Sequence, residues 1–181
     1  MNTILLIRHA ETTGQAPEAL LTTSGRAQAQ ALAPRLRALG ACAIHSSPYR
    51  RAVETAEPFA ASIGAAVDTD DDLRERVLTA EPRDDWREQL RLGFADRQMY
   101  LPGGESLAAT ESRALRALAR IAALGRDRPA VVSHGGLIAA LLSGIDPAFG
   151  PDEMFALANP DLFDLTFSGD RPMTFTRLSL E

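Results

Sequence analysis

Two histidines stand at the ends of apolar runs, and their side chains are the first candidates for chemistry. His9 closes the run in "LLIRHAETT" directly after Arg8, and His134 closes the run in "AVVSHGG" directly before a glycine pair. Each run is typical of a strand buried on both faces. Ligands of open parallel sheets bind beyond the carboxyl ends of the strands. Although a lone histidine there more often serves packing, the pair predicts one crevice that contains His9 and His134.

The residues around these histidines favour an anion as the ligand. The backbone N–H groups of Gly135 and Gly136 would stand at a helix N-terminus, where negative charge is stabilised and an anion can approach closely. The segment "SSPYRRA" puts Arg50 and Arg51 at the start of a helix at the same sheet edge. The sequence has no lysine, so all 19 cationic side chains are arginines. An anion site must therefore use arginine, histidine and backbone N–H groups.

Composition limits the classes of protein that fit this chain of 181 residues. The length fits a single domain, 1–181, and the net charge of −5 argues against a nucleic-acid partner. One cysteine and three histidines in no ligand spacing predict no metal site. The longest apolar run, Leu137 to Leu142, is far shorter than the roughly 20 residues that cross a bilayer. With no leader-like start, we expect a cytoplasmic protein without a membrane partner.

The first half of the chain predicts three strands and two helices. The strands are expected at Thr3–Ile7, Ala43–His45 and Ala65–Val67. Thr22 is a suitable N-cap for the first helix, which should end near Gly40. Ser47 followed by Pro48 has the pattern of an N-cap and first helical position for the second helix.

The second half predicts three helices and three strands. Helices are expected over about 84–98, from the "PGGES" loop to about Leu124, and over Leu137–Leu142. Strands are expected at Pro129–Ser133, Leu162–Phe167 and Met173–Leu178, the last two alternating like edge strands. This alternation of elements predicts an α/β fold with a mainly parallel sheet covered on both faces. Since edge strands can pair between chains, a homodimer is a further expectation.

Six segments carry a resemblance to a known family. "LLIRHAET", "LTTSGRAQA", "SSPYRRAVETA", "DLRER", "PGGES" and "VVSHGG" occur in order over most of residues 3–140. Together they resemble the phosphoglycerate-mutase-like branch (branch 1) of the histidine phosphatase superfamily. The resemblance implies a three-layer αβα sandwich. It also implies a phosphohistidine mechanism that needs no metal or other cofactor and acts on a small phosphorylated substrate.

The resemblance assigns roles to individual residues. His9 would be the nucleophile, Arg8 and Arg51 would hold phosphate, and His134 would be the second histidine of the site. Gln15 stands near a position where the family often has asparagine, and its side chain can still reach the phosphate. Two further positions complete the expected site: Thr12 braces the loop and touches phosphate, and Gly135 offers its N–H. Arg50 is expected outside the site, as the exposed neighbour of Arg51.

Two glutamates compete to protonate the leaving alkoxide. Glu75 in "DLRER" matches the proton-donor position of the family. Glu105 in "PGGES" also resembles a family segment, although a carboxylate near a helix N-terminus is favourable without any catalytic role. A donor at pH 7 needs a raised pKa, since unperturbed glutamate titrates at about 4.3. Glu75 is the first choice, with Glu105 retained as a second candidate.

Three functions fit the resemblance. A phosphomonoester hydrolase is favoured over a phosphoglycerate-type mutase because the chain is short and reads "VLTAEPRDD" after Arg76, where the family carries a different pattern. A non-catalytic phospho-ligand-binding protein is the third reading, but it would usually lack part of the motif set. Sugar phosphates, phosphoglycerates and intermediates such as a ribazole phosphate all remain candidate substrates.

Overall fold

The computed structural model describes residues 3–169 and 171–180. These residues form six strands, six α-helices and one 3₁₀ turn. The strands are β1 (Thr3–Arg8), β2 (Ile44–Ser46), β3 (Asp68–Thr69), β4 (Ala130–Ser133), β5 (Asp161–Ser168) and β6 (Arg171–Leu178). The helices are α1 (Thr23–Ala38), α2 (Arg50–Ser62), α3 (Trp86–Ala95), α4 (Leu107–Ala123), α5 (Gly135–Ile145) and α6 (Pro151–Phe155), and the 3₁₀ turn is Asp71–Leu73.

One six-stranded sheet organises these elements in the order β3-β2-β4-β1-β5-β6. The pairs β3–β2, β2–β4 and β4–β1 are parallel, whereas β1–β5 and β5–β6 are antiparallel. The parallel strands β1, β2 and β4 therefore end at the same edge, which is where His9, Ser47 and His134 follow them. This arrangement confirms the predicted α/β fold and its mainly parallel sheet.

Alternate residues of β1 pack on opposite faces of the sheet, which makes three layers. Ile4 and Leu6 belong to a core that contains apolar residues of α4 and α5. Leu5 and Ile7 belong to a second core with residues of α1 and α2. The hydrophobic effect therefore holds β1 in place from both faces of the sheet.

Some predicted boundaries are wrong. Helix α2 begins at Arg50 after Tyr49, not at Pro48, although the Ser47 hydroxyl does accept from the Tyr49 N–H while it also contacts His134. β3 lies at Asp68–Thr69 rather than Ala65–Val67, since these residues pair with His45 and Ser46. Helix α3 is shorter than predicted, and α5 starts at the glycine pair as predicted but extends beyond Leu142 to Ile145.

The two C-terminal strands also differ from expectation. β5 is not an edge strand because it lies between β1 and β6, and only β6 occupies that edge of the sheet. The homodimer expected from an exposed edge stays a prediction. Among the described residues, no helix is long and apolar enough to span a bilayer.

Candidate active site

The ends of β1, β2 and β4 bring the two predicted histidines together. The rings of His9 and His134 meet edge to face, with their centroids 5.1 Å apart. Their strands are locked by backbone hydrogen bonds from His9 N to Ser133 O (3.0 Å) and from Ser47 N to Val132 O (2.9 Å). The structure therefore brings the two histidines together at the sheet edge where the sequence predicts them.

His9 is buried and its two ring nitrogens have different partners. Nδ1 lies 2.8 Å from the Ala10 carbonyl oxygen, and Nε2 lies 3.1 Å from Nε of Arg51. A carbonyl only accepts and a guanidinium only donates, so the hydrogen is on Nδ1 and the lone pair is on Nε2. Burial, the largest cause, together with the charges of Arg51 and Arg8, lowers the pKa of His9 to about 4 despite the Ala10 contact.

Arg51 is fully buried at the start of α2, directly beside His9. Its Nη1 donates to the carbonyls of Gln15 (3.0 Å) and Ala16 (2.9 Å), and its guanidinium lies 5.0 Å from the ring centroid of Tyr49. Its Nη2 is buried without a hydrogen-bond acceptor among the described residues. The fold thus orients Arg51 and leaves one of its donors unused.

Arg8 is oriented by the loop before β5. Its Nη1 donates to the carbonyl oxygens of Leu157 (2.6 Å) and Ala158 (3.3 Å). A Cβ at Gly135 would lie 3.3 Å from Arg8 Nε, which explains why glycine suits this position. Nε itself is buried and has no acceptor in the described part of the chain.

His134 is the third group with an unused donor. Its Nε2 lies 2.7 Å from Ser47 Oγ, which already accepts from the N–H of Tyr49 at 3.2 Å. Nε2 is the only acceptor that the Ser47 hydroxyl contacts among the described residues, so the hydroxyl donates to Nε2 and the imidazole hydrogen sits on Nδ1. Burial, followed by the charge of Arg51, holds the pKa of His134 well below its usual value, so the ring is neutral. Nδ1 is buried without a partner among the residues described.

These three unused donors suit an anion beside His9. They are Arg8 Nε, Arg51 Nη2 and His134 Nδ1, and all belong to residues predicted for the site. Buried donors in proteins are nearly always paired, so unpaired ones call for a specific explanation. A phosphoryl group carries three equatorial oxygens that can accept from them.

Glu75 occupies the N-terminus of α5. Its carboxylate accepts hydrogen bonds from the N–H groups of Arg76 (2.7 Å), Leu137 (3.2 Å) and Gly136 (3.3 Å). The glycine pair does cradle an anion, but the anion that Gly136 holds is this side chain. A Cβ at Gly136 would lie only 2.6 Å from Glu75 Oε1. Burial raises the pKa of Glu75, although the three hydrogen bonds and Arg51 oppose this.

The structure does not bring Glu105 to the histidines. Both of its oxygens accept hydrogen bonds from Arg113 at 2.9 Å, and it is not among the described residues that line the cleft. Burial alone would raise the pKa of Glu105, but the hydrogen bonds and charge of Arg113 outweigh it and lower the pKa. A carboxylate held ionised by arginine is a poor proton donor.

Arg113 and Asn159 position the site, and sequence reasoning missed both. Arg113 donates to the carbonyls of Arg74 (2.7 Å) and Glu75 (3.2 Å), which fixes the segment that presents Glu75. Asn159 Nδ2 donates to the His9 carbonyl at 2.7 Å. Arg113 lies on a helix whose pattern looked ordinary, and Asn159 follows the last recognised motif, so neither had a sequence signal.

The loop after His9 is braced by its own groups. The Thr12 hydroxyl donates to the Leu20 carbonyl at 3.0 Å and therefore holds the loop closed. Gln15 is exposed and lines the cleft beside the site. Arg50 is exposed and pairs with Glu54 at 3.1 Å, as expected for the outer arginine.

A cleft of about 690 Å³ opens over this edge of the sheet. The cleft is lined by Arg8 and Gly135, which are the chain neighbours of His9 and His134. The side chains of His9, His134 and Arg51 are buried and do not line it. No group of three or more potential metal ligands occurs in residues 3–169 and 171–180. The residues that line the cleft are Arg8, Gln15, Glu75, Arg76, Leu78, Trp86, Arg87, Leu90, Arg91, Gly135, Gly136, Met154 and Phe155.

Comparison with known proteins decides the family. The sequence profile of the histidine phosphatase superfamily (branch 1) matches residues 4–177. The chain belongs to this superfamily. The prediction that the chain is a phosphatase of the histidine phosphatase family is confirmed.

Individual relatives carry two kinds of name. The chain is 33% identical over 160 residues to the probable phosphoglycerate mutase GpmB of Escherichia fergusonii, covering 78% of this chain and 74% of GpmB. The structure named mycobacterial hydrolase 1 has 27% identity and a TM-score of 0.77, covering 97% and 96% of the two chains. A mycobacterial glucosyl-3-phosphoglycerate phosphatase has 26% identity and a TM-score of 0.73, with the same coverage.

The protonation of His9 can be measured directly. We expect NMR of the imidazole nitrogens, assigned with His9→Gln, to show His9 neutral with hydrogen on Nδ1 from pH 8 to pH 5. Protonation should follow near pH 4, the value set by burial and the two arginines. Because an unfolded histidine binds protons near pH 6.5, this group should lower the free energy of unfolding as pH falls from 6.5 towards 4. A His9 titration centred near 6.5 would contradict this.

Proposed function

We propose that the protein is a metal-independent phosphomonoester hydrolase that acts on a small phosphorylated metabolite through a phosphohistidine at His9. The observation that carries this proposal is a neutral His9, with Nδ1 tied to the Ala10 carbonyl, beside three buried donors without acceptors. Neutral imidazole is the nucleophilic form, and the donors match the charge that spreads over phosphoryl oxygens in the transition state.

The first step transfers the phosphoryl group to His9. The lone pair of Nε2 forms the N–P bond while the P–O bond to the leaving alcohol breaks. Arg51 Nε, which donates to Nε2 in the free protein, must pass its hydrogen bond to a phosphoryl oxygen. Protonated Glu75 gives its hydrogen to the departing oxygen, so the alcohol leaves neutral and Glu75 becomes a carboxylate.

The second step returns His9 to its starting state. The Glu75 carboxylate takes a proton from a water molecule, whose oxygen attacks phosphorus as the N–P bond breaks. Inorganic phosphate and neutral His9 result, and Glu75 is again protonated. The N–H groups of Gly136 and Leu137 keep the carboxylate in place for both proton transfers.

Two observations favour Glu75 over Glu105 as the proton donor and acceptor. Glu75 lines the cleft and burial raises its pKa, which suits a group that must hold a proton near neutral pH. Glu105 is paired with Arg113 and acts through it on the segment that presents Glu75. Thr12, Gln15 and Gly135 contribute the loop and backbone around the phosphate.

Hydrolysis is favoured over mutase activity, which remains the second candidate. Structural relatives at 26–27% identity are named as a hydrolase and a phosphatase. The mutase reading is supported by the 33% identity to a probable phosphoglycerate mutase. A merely phosphate-binding protein would have no use for a cleft carboxyl group whose pKa is raised by burial, beside a neutral nucleophile. A cytoplasmic location stays a prediction.

The role of Glu75 predicts a dependence on the leaving group. Glu75→Gln should lower kcat/KM for an alkyl phosphate such as ribose 5-phosphate by about 10²–10⁴-fold, the usual contribution of a general acid. For p-nitrophenyl phosphate the loss should be far smaller, because nitrophenolate leaves without a proton. Rapid initial-rate assays of both substrates make the comparison.

Glu105→Gln is the matched control, since it removes a second carboxylate from the same region. Glu105→Gln should lower kcat/KM for both substrates by the same small factor. Equal losses for the two substrates in Glu75→Gln, with a selective loss in Glu105→Gln, would reverse the assignment.

Product analysis separates hydrolase from mutase. With 3-phosphoglycerate as substrate, we expect chromatography to show glycerate and inorganic phosphate in equal amounts, without 2-phosphoglycerate, because water attacks phospho-His9. The release should persist in EDTA, since arginines take the place of a metal. Formation of 2-phosphoglycerate faster than free phosphate would establish the mutase instead.

A further inference from the structure

The outer wall of the cleft is aromatic, although the phosphoryl chemistry needs no aromatic group. Trp86 at the start of α3 meets Phe155 at the end of α6 edge to face, with centroids 6.1 Å apart and planes at 79°. Trp86 is 40% exposed, so part of its ring is open to the cleft that it lines. Leu90, one turn further along α3, also lines the cleft and is buried. This Trp86–Leu90–Phe155 surface is called the aromatic wall below.

Two arginines stand over the aromatic wall. The guanidinium carbon of Arg87 lies 4.7 Å from the ring centroid of Trp86, and that of Arg91 lies 5.4 Å from the centroid of Phe155. Arg91 is held by Asp152 at 2.8 Å, whereas Arg87 has no ion-pair partner among the described residues. Planar guanidinium groups stack on aromatic faces, and aromatic rings also pair with one another edge to face or offset.

The segment that leads from Glu75 to the aromatic wall is held in place by backbone hydrogen bonds. Residues 77–80 run beside residues 102–105, joined by hydrogen bonds from Glu105 N to Val77 O (2.7 Å) and from Ala80 N to Pro102 O (3.2 Å). A Cβ at Gly104 would lie 2.1 Å from Leu78 O, so this close approach requires glycine. The "PGGES" loop therefore supports residues 77–80, which follow Glu75 and Arg76 in the chain and include the cleft residue Leu78.

From these contacts we infer that the leaving group of the substrate carries a planar aromatic ring, which packs on the aromatic wall while its phosphoryl group meets His9. This inference rests on the proposed function and adds the substrate class. The cleft of about 690 Å³ falls within the usual range for whole small-molecule ligands and has room beyond a phosphoryl group.

The inference predicts a preference among three alkyl phosphates with primary leaving oxygens. Ethyl, 2-cyclohexylethyl and 2-phenylethyl phosphate differ only in the group that would reach the wall. We expect wild-type kcat/KM for 2-phenylethyl phosphate to exceed that for ethyl phosphate by roughly ten- to a hundredfold, and the cyclohexyl compound to fall between them. Equal values for ethyl and 2-phenylethyl phosphate, or a cyclohexyl compound that matches the phenyl one, would overturn the inference.

Variants locate the preference. Trp86→Ala should reduce the phenyl-to-ethyl ratio of kcat/KM to below about threefold, chiefly by lowering the value for 2-phenylethyl phosphate, and Trp86→Phe should keep most of the ratio. Tyr100→Ala is the matched control, because Tyr100 is an aromatic residue, 70% exposed, that does not line the cleft. It should keep the wild-type ratio. Equal losses for both substrates in Trp86→Ala would show a structural role only and overturn the inference.

A binding measurement separates this inference from the proposed function. The chain has a single tryptophan, so its intrinsic fluorescence reports on Trp86 alone. We expect 2-phenylethylphosphonate, which is not hydrolysed, to change that emission and to bind at least tenfold more tightly than ethylphosphonate. Ring-dependent binding without hydrolysis of any phosphate ester would reject the proposed hydrolase and support the aromatic wall. Hydrolysis of phosphate esters without ring-dependent binding would support the proposed hydrolase and overturn the inference about the aromatic wall.

Discussion

The neutral imidazole of His9 is the condition on which the rest of the site depends. Cationic neighbours are needed to hold a phosphoryl group, and the same charges, added to burial, keep a proton off Nε2. The charges that attract the substrate therefore also add to the effect of burial, which is the larger cause of the neutral nucleophile. The Ala10 carbonyl completes the arrangement. It accepts a hydrogen bond from Nδ1–H of His9, so the lone pair of the ring is on Nε2 and faces Arg51.

Burying arginines beside one another is unfavourable unless other groups solvate them. In this fold backbone carbonyls do so. Leu157 and Ala158 accept from Arg8, while Gln15 and Ala16 accept from Arg51. Each guanidinium keeps one buried donor in reserve. The loops before β5 and after β1 thus stabilise the charges without using up their capacity for phosphate.

The central part of this arrangement could be predicted from sequence because it follows from short local patterns. An apolar run that ends in histidine predicts where His9 and His134 lie, since parallel strands share their carboxyl edge. Arg113 and Asn159 could not be found in this way, because each acts on residues far away in the chain. The pairing of Glu105 with Arg113 was likewise invisible. The boundaries of α2 and β3 failed because tertiary contacts, through Ser47 and the β2 pairing, overrode local signals.

The measurement that tests this account most directly is the capture of the intermediate in a single turnover. Enzyme in excess over ³²P-labelled p-nitrophenyl phosphate is quenched in alkali within milliseconds, and the labelled peptide is identified. The account predicts label that is stable in base, is released by acid and resides on the peptide containing His9. Complete hydrolysis without any transient protein-bound label, or label on another residue, would contradict it.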